Sequence, residues 1–596
     1  MQPTMAILER INENSNTNKE KVFTKLYRYL LRPDLYFEAY KNLYANNGAA
    51  TKGVDADTAD GFSEAKVERI IQSLIDETYQ PMPTRRTHIK KSDGRKRPLG
   101  IPTFTDKLVQ EALRMVLQAV YEPVFLKCSH GFRPNRSCHT ALAELKKEFG
   151  GARWFIEGDI KACFDTIDHA VLVGLIRQKI KDARLIKLIH KFMKAGYVED
   201  WRYWGTYSGT PQGGIISPIL SNICLHELDK FVMTLKADFD VYEGDKLTPE
   251  YIALVNKQAV AKRRIKESDG TERERWIQEH KRIRKEKLKT PAKLQTDKKI
   301  KYIRYADDFL IGVNGNREEC VEIKRKLTEF IGQTLNMELS DKKTLITHSN
   351  DYARFLGYDV RVRRDAKVKR AGKLRYNKRT LSNKVELVVP IDKIHKFIFS
   401  KNIVIQEHDG NLRPVHRAEL LHLTDLEIVS SYNSELRGIC NYYGLASNFN
   451  VLNYFAYLMK YSCLRTLASK HKSSVSKMIT KFKDGQGSWG IPYETKRGLK
   501  RCSFANYAEC KNMRQVTDLI PVVTQAHRFS VNMFEKRLKA RVCELCGTGE
   551  SNHYELHHIN KVKNLKGKEP WEQAMIAKRR KTLVVCRDCH KMIHRQ

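Results

Sequence analysis

Two aspartates stand side by side in YIRYADDFLIGV (302–313), between apolar runs rich in β-branched and aromatic residues. Ala-Asp-Asp is acceptable hairpin-turn chemistry, and alone the pair reads as a solvated turn. A third carboxylate changes that reading. In WFIEGDIKACFDTIDH (154–169), Phe155, Glu157 and Asp159 share one face of a strand-like run, so Asp159 can reach the Asp307–Asp308 tip from a neighbouring strand. Such charges repel one another unless a cation sits among them. Hard oxygen donors suit Mg²⁺, and two such ions about 3.5–4 Å apart activate a hydroxyl and stabilise a leaving pyrophosphate. That chemistry is nucleotidyl transfer.

A second set of residues lies near the C-terminus. RVCELCGTGE (541–550) and VVCRDCHKMIH (584–594) carry Cys543-x-x-Cys546 and Cys586-x-x-Cys589, the spacing of one tetrahedral structural Zn²⁺ held by four thiolates. Between the pairs lies ELHHIN (555–560) with His557 and His558, and His590 and His594 follow on one helical face. The plainer alternative is a zinc ribbon with incidental histidines.

Elements able to position these groups can be read on either side of a charged stretch. Residues 235–300 contain KRRIKESDGTERERWIQEHKRIRKEKLKTPAKLQTDKKI, which is mostly charge, and read as a solvated helical insertion or mobile basic arm. Around it apolar strands alternate with amphipathic helices, as in 318–335, where Cys320, Ile323, Leu327, Phe330, Ile331 and Leu335 keep a 3–4 spacing. An α+β domain therefore spans the insertion. From about 380 the pattern turns helical, with Leu452, Phe455, Met459, Cys463 and Leu467 on one stripe, until GQGSWGIP (485–492) breaks it. The segment 425–472 reads as a thumb-like bundle whose aromatics, Tyr442, Tyr443, Tyr454 and Tyr457 among them, are mostly core.

Composition narrows the partners. The 596 residues hold 108 Lys and Arg against 69 Asp and Glu, a formal net charge of +39, so RNA or DNA is the natural partner. At about 150 residues per domain the chain accommodates roughly three to five domains. No stretch approaches 18 apolar residues and the N-terminus has no apolar signal core, so the expectation is an intracellular protein without a membrane partner. Nine of the 13 cysteines are scattered singly, as small core hydrophobes.

Seven segments occur in the order of reverse transcriptase motifs: RPLGIPTFTDKLVQEAL (97–113), HGFRPNRSCHTAL (130–142), GDIKACFD (158–165), SGTPQGGIISPILSNICLHELD (208–229), YADD (305–308), LSDKKTLITH (339–348) and FLGYDV (355–360). The resemblance implies that Asp159, Asp307 and Asp308 bind Mg²⁺ and that Phe164 clashes with a ribose 2′-hydroxyl and selects dNTPs. It further implies that Gln212 lines the incoming nucleotide. Arg97, with Lys90 or Lys91 on a finger hairpin turning at Ser92-Asp93-Gly94, grips the triphosphate, and Lys343 lies near the nucleotide.

RGICNYYG and TLASKHK, with the N-terminal segment 25–55, resemble group II intron-encoded proteins over nearly the whole chain. ELHHIN and the terminal histidines resemble an HNH, or ββα-metal, nuclease. By position His558 is the base that activates water, and His557, His590 and His594 hold or support a Mg²⁺-type ion. The family's middle asparagine falls near Thr582, leaving Thr582, Asn560 or Asn564 for that role.

The implied architecture is multidomain α+β. An N-terminal extension (1–70) precedes right-hand fingers and palm (71–364, with the insertion 235–300) and a helical thumb or maturase domain (375–483). A small DNA-binding region (484–540) and a zinc-stabilised HNH module (541–596) follow. The implied partners are the protein's own intron RNA, a DNA target and dNTPs, with room for a homodimer. The implied setting is the bacterial cytoplasm, with the ribonucleoprotein on the nucleoid. The rival expectation is a non-catalytic RNA-binding splicing factor on a polymerase scaffold, whose YADD and cysteines should have eroded; both are intact.

Overall fold

The computed structural model describes residues 2–595, except 47, 91–93, 95, 211–212, 243–246, 293–296, 365–367, 371–376, 380–382, 484–488, 496–497 and 514–531. Its centre is an antiparallel sheet ordered Lys299–Tyr305, Asp308–Asn314, Trp154–Asp159 and Ile346–His348. Both faces are covered. Ile300, Tyr302, Phe309, Ile311 and Val313 join one core with the helices Ser217–Phe239 and Arg317–Leu335, while Phe155, Ile303 and Leu310 join a second core with the helix Cys138–Glu148. Double burial explains why these strands read as nearly continuous apolar runs.

The helix Arg317–Leu335 buries Cys320, Ile323, Leu327, Ile331 and Leu335 of the predicted stripe, with Phe330 only half-buried, behind a capping box at Asn316 and Glu319. Its C-cap, Asn336, takes the left-handed conformation (φ 53°).

Above the palm a second sheet runs Lys96–Ile101, Thr84–Lys90, Tyr197–Glu199 and Arg202–Trp204. The predicted finger hairpin is its first pair, in register from Arg85 opposite Ile101 to Lys90 opposite Lys96. Its turn residues Lys91, Ser92 and Asp93 lie outside the described residues.

The charged stretch forms two helices, Pro249–Glu267 and Gly270–Lys289, that pair through a small core of Leu254, Ala261 and Ile283 with Trp276. It is a packed helical hairpin rather than a loose arm.

The helices Ile391–Ser400, Asp425–Tyr442, Leu452–Lys470 and Val475–Phe482 form the bundle after the palm, burying Leu452, Phe455, Met459, Cys463 and Leu467 as predicted. The aromatic expectation holds only in part. Tyr443 is buried, whereas Tyr454 and Tyr457 stack on the outer face of their helix, half exposed, with ring centroids 6.2 Å apart. Three-residue spacing aligns them on a face opposite the apolar stripe. The hairpin Gly490–Thr495 and Gly498–Ser503 docks on this bundle where Asn433 donates to Ser503 O and accepts from Ala505 N.

The terminal module is a strand pair, Tyr554–His558 with Thr582–Cys586, followed by the helix Arg587–Arg595. It does not stand apart. Leu556, Leu583, Val585 and Ile593 share one hydrophobic core with Tyr40, Phe62 and Phe534, so the N-terminal extension is the surface on which the module rests. No helix among the described residues is long and apolar enough to cross a membrane.

Candidate functional site

Strand register assembles the palm carboxylates. Asp159 lies directly opposite Asp308, and Asp308 closes the hairpin against Tyr305, leaving Ala306 and Asp307 as the turn. Ala306 takes φ 57°, and a Cβ on Gly131 would lie 2.2 Å from Ala306 N, so the HGFRP loop packs against the turn in a way only glycine allows. Gly158 serves the same end, since a Cβ there would strike the Phe309 ring at 2.0 Å.

The carboxylates crowd one another. Desolvation in the cleft raises the Asp307 carboxyl, and Asp159 adds to the effect against Lys343 and Arg97. Desolvation, then the charges of Asp307 and Asp159, pushes Asp308 up to about 7. Lys343 is the nearby countercharge: its Nζ lies 2.9 Å from both oxygens of Asp159, held by a turn in which Ser340 N donates to Asp159 O. Sequence analysis set Lys343 beside the nucleotide; the structure pairs it with Asp159. Three carboxylates at one strand end, with Asp307 and Asp308 both raised and Lys343 as the countercharge at Asp159, form a site suited to divalent cations.

Phe164 follows Asp159 on the short helix Cys163–Thr166, and its ring meets Phe132 edge-on at 6.1 Å. Its carbonyl accepts from Thr210 N at 2.6 Å, and Gly209 (φ 82°) abuts the Asp165 backbone, so the SGTPQGG loop is laid on the Phe164 turn. The other end of that loop presses on the fingers, where a Cβ on Gly213 would lie 2.4 Å from Gly100 O. Arg97 lies on that strand, close enough to stabilise the Asp307 charge. Gln212 lies outside the described residues.

Beneath the turn is a pair that sequence analysis passed over. Arg304 and Asp229 are fully buried and bound at both ends, Nε to Oδ1 and Nη2 to Oδ2 at 2.7 Å each. Arg304 also donates to Ala306 O at 2.8 Å, to Asn222 and to Ser129, while Tyr302 donates to Asp229. The signal was an arginine inside the apolar run YIRYADD. Exposed aromatics at the fingers edge were also missed: Trp201 is 100% exposed and Tyr207 95%, beside Tyr203 and Trp204.

At the other site the thiolates of Cys543, Cys546, Cys586 and Cys589 converge, every Sγ within 4.8 Å of the others. Burial would raise the Cys543 thiol, yet backbone N–H groups of Cys546, Cys586 and Leu545 bring it down to about 7. Burial instead raises Cys586 and Cys589, so it is the convergence of four sulfurs that fits a site for a soft cation.

His557 and His558 end the first strand, with His558 opposite Thr582, and His590 and His594 lie one turn apart on the helix behind them. His557, His590 and His594 come together around a carboxylate that sequence analysis did not select, Asp60 of the N-terminal extension. His558 stands aside: its Nε2 donates to Tyr44 O at 3.0 Å, and burial holds its pKa below the usual histidine range. Thr582 is itself buried and occupied, its hydroxyl and carbonyl accepting from Arg537, while Asn560 and Asn564 are exposed.

Three family models match the chain. A family model for reverse transcriptase (RNA-dependent DNA polymerase) matches residues 89–242 and 280–360, one for type II intron maturase matches 382–532, and one for AI2M/AI1M-like HNH endonuclease matches 543–590. The palm and the two domains behind it define a reverse transcriptase that also carries maturase and HNH endonuclease domains. The chain is 61% identical, over 100% of both lengths, to the group II intron-encoded protein LtrA of Lactococcus lactis subsp. cremoris. It is 36% identical, over 99% of this chain and 72% of the other, to an uncharacterized 91 kDa protein in the cob intron of Schizosaccharomyces pombe, and 29% identical, over 98% and 68%, to a putative COX1/OXI3 intron 2 protein of Saccharomyces cerevisiae. The chain belongs to the family of group II intron-encoded proteins.

Proposed function

We propose that the protein copies its own intron RNA into DNA at the palm, assists splicing of that RNA through the thumb, and nicks a DNA target with the terminal module to supply the primer. The observation that carries the polymerase reading is the Asp159–Asp308 register, which sets three carboxylates at one strand end beside Arg97 and the Phe164 turn.

Bound Mg²⁺ would supply the charge that activates the primer hydroxyl and offsets the leaving pyrophosphate. Asp159, Asp307 and Asp308 would hold it. Arg97 grips the triphosphate, Gln212 lines the incoming nucleotide and Lys343 lies near it. Phe164 stands where a 2′-hydroxyl would project and so favours dNTPs. Trp201, Tyr203, Trp204 and Tyr207 offer stacking surface to unpaired template bases.

In the terminal module four thiolates hold a structural Zn²⁺. His558, with its proton fixed on Nε2 by Tyr44 O, presents the Nδ1 lone pair as the base toward water. His557, His590 and His594 hold the nuclease ion. The domains run 1–70, 71–364, 375–483, 484–540 and 541–596, with the fourth contacting the DNA target, and the intact particle is a ribonucleoprotein that can form with one or two protein copies.

The test is primer extension by the full chain on an RNA template with Mg²⁺, run beside nicking of a target duplex. Asp307→Ala should abolish extension and keep nicking, and His558→Ala should do the reverse. Parental extension by Asp307→Ala would refute the palm assignment.

A further inference from the structure

The terminal module's first strand uses both of its edges. One edge pairs with Thr582–Cys586; on the other, Gly61 N donates to Leu556 O and Leu556 N donates to Phe62 O, at 3.0 and 2.9 Å. Phe534 wedges between Tyr40 and Tyr44 at 5.1 and 4.8 Å, and Asn532 donates to Glu38. This seam carries Asp60 into the histidine cluster. Asp60 Oδ1 accepts from His558 N at 2.6 Å and lies 3.1 Å from His557 Nδ1; Oδ2 lies 3.2 Å from His590 Nε2 and 2.7 Å from His594 Nε2.

Three observations ask for a cation there. His557 is 4% exposed, and neither ring nitrogen has a hydrogen-bond partner among the described residues, although Nδ1 faces Asp60. A desolvated imidazole left so is costly unless a cation takes its lone pair. His590 bonds Glu555 through Nδ1, and Glu555 accepts from His553 at 2.8 Å, the outer arrangement that turns Nε2 of a ligating histidine inward. Finally, bonds of about 2.1 Å at angles between 90° and tetrahedral place ligand atoms about 3.0–3.4 Å apart. Three spacings fall in that range, 3.1 Å from Asp60 Oδ1 to His557, 3.2 Å from Oδ2 to His590 and 3.2 Å between the two helix histidines, while His594 lies 2.7 Å from Oδ2, at hydrogen-bond distance.

We propose that Asp60 is the fourth ligand of the nuclease ion, so that the N-terminal extension and the terminal module share one metal centre of three imidazoles and one carboxylate. The proposal rests on the reading of His557, His590 and His594 as nuclease-ion residues. The shared ion joins ends of the chain that are 498 residues apart between Asp60 and His558. Undocking the module then removes a ligand, which makes nicking depend on the state of the N-terminal extension.

The test uses the full chain with Zn²⁺ on its cysteines and Asp307→Ala to silence the palm. Mn²⁺ is titrated by the paramagnetic resonance of the free ion, with nicking and backbone hydrogen exchange at 60–62 and 556–558 followed in parallel. One Mn²⁺ should bind and slow exchange across the seam. Asp60→Asn, which preserves the shape and the bond to His558 N, should weaken Mn²⁺ by at least about 100-fold, lose the exchange effect and nick less. If His590→Ala loses Mn²⁺ while Asp60→Asn binds as the parent does, Asp60 is not a ligand. If both bind as the parent does, the histidine reading fails and the proposal with it. Faster nicking by Asp60→Asn at unchanged Mn²⁺ affinity overturns the proposal in favour of an inhibitory contact.

Discussion

Arg304→Met tests how the palm turn is held. The native pair is fully buried, and the substitution leaves Asp229 with only the Tyr302 hydroxyl, at 2.9 Å, among the partners described here. Breaking a buried pair from one side costs about 3–5 kcal/mol, a large share of the roughly 5–15 kcal/mol that holds a domain. At about 2–4 °C per kcal/mol for a domain of this size, the palm transition should fall by about 10 °C. Adding Asp229→Leu removes the stranded charge, and replacing both charges by apolar groups returns most of that loss. The turn is a separate matter. Ala306 O still lacks the 2.8 Å bond from Arg304, and Ala306 must hold φ 57° without it. One lost hydrogen bond of about 1–1.5 kcal/mol, expressed in placement of Asp307, corresponds to about a tenfold slower single-nucleotide addition. The assay is calorimetry of the full chain beside rapid-quench primer extension. A single variant that melts and extends as the parent does refutes the reasoning, and a double variant that recovers both properties shows that the pair serves the fold alone.

Phe164→Val should narrow the preference for dNTPs over NTPs by about tenfold or more, read from the ratio of incorporation efficiencies, because the ring's bulk is what meets the 2′-hydroxyl. Cys586→Ser should remove the zinc measured in the purified protein and expose 541–595 to proteolysis, while primer extension continues at the parental rate. Burial raises the Asp106 carboxyl from 3.8 to about 6 despite bonds from Tyr79, Thr103 and Met82. A raised carboxyl stabilises the fold below the unfolded value and loses that contribution as pH climbs toward 6, about 3 kcal/mol in all. Relative to Asp106→Asn, the parent should therefore lose stability between pH 4 and 6, and parallel melting curves for the two would contradict this.

Much of the palm was legible because its strands combine β-forming residues with turn chemistry at one point. YIRYADDFLIGV marks the hairpin, and period-two alternation sets Asp159 on the correct face. The side of the sheet on which each neighbour packs was not legible, since double burial erases alternation in 300–313. Arg304 was passed over for the same reason: a charge in an apolar run is uninterpretable until its partner, 75 residues upstream, is known. Lys343 was found by its motif, but its partner Asp159 lies 184 residues away and only the folded turn brings them together.

The terminal module separates local from distant information more sharply. Cysteine spacing and the one-turn interval between His590 and His594 are local, and the structure gathers the residues so selected into two clusters. A module this small can be expected to rely on metal for want of a core, and that expectation was incomplete. Part of its core comes from Tyr40 and Phe62, and an isolated bridge from Phe62 to Leu556 ties the N-terminal extension to the free edge of its two-stranded sheet. Nothing in TADGFSE (58–64) marks Asp60, because an aspartate before glycine is ordinary turn composition. Its placement follows from the Phe62–Leu556 bridge, which sets Asp60 two residues from the paired position and therefore level with His558. Register across a sheet edge, with no signal in either segment alone, decides which carboxylate meets the histidines.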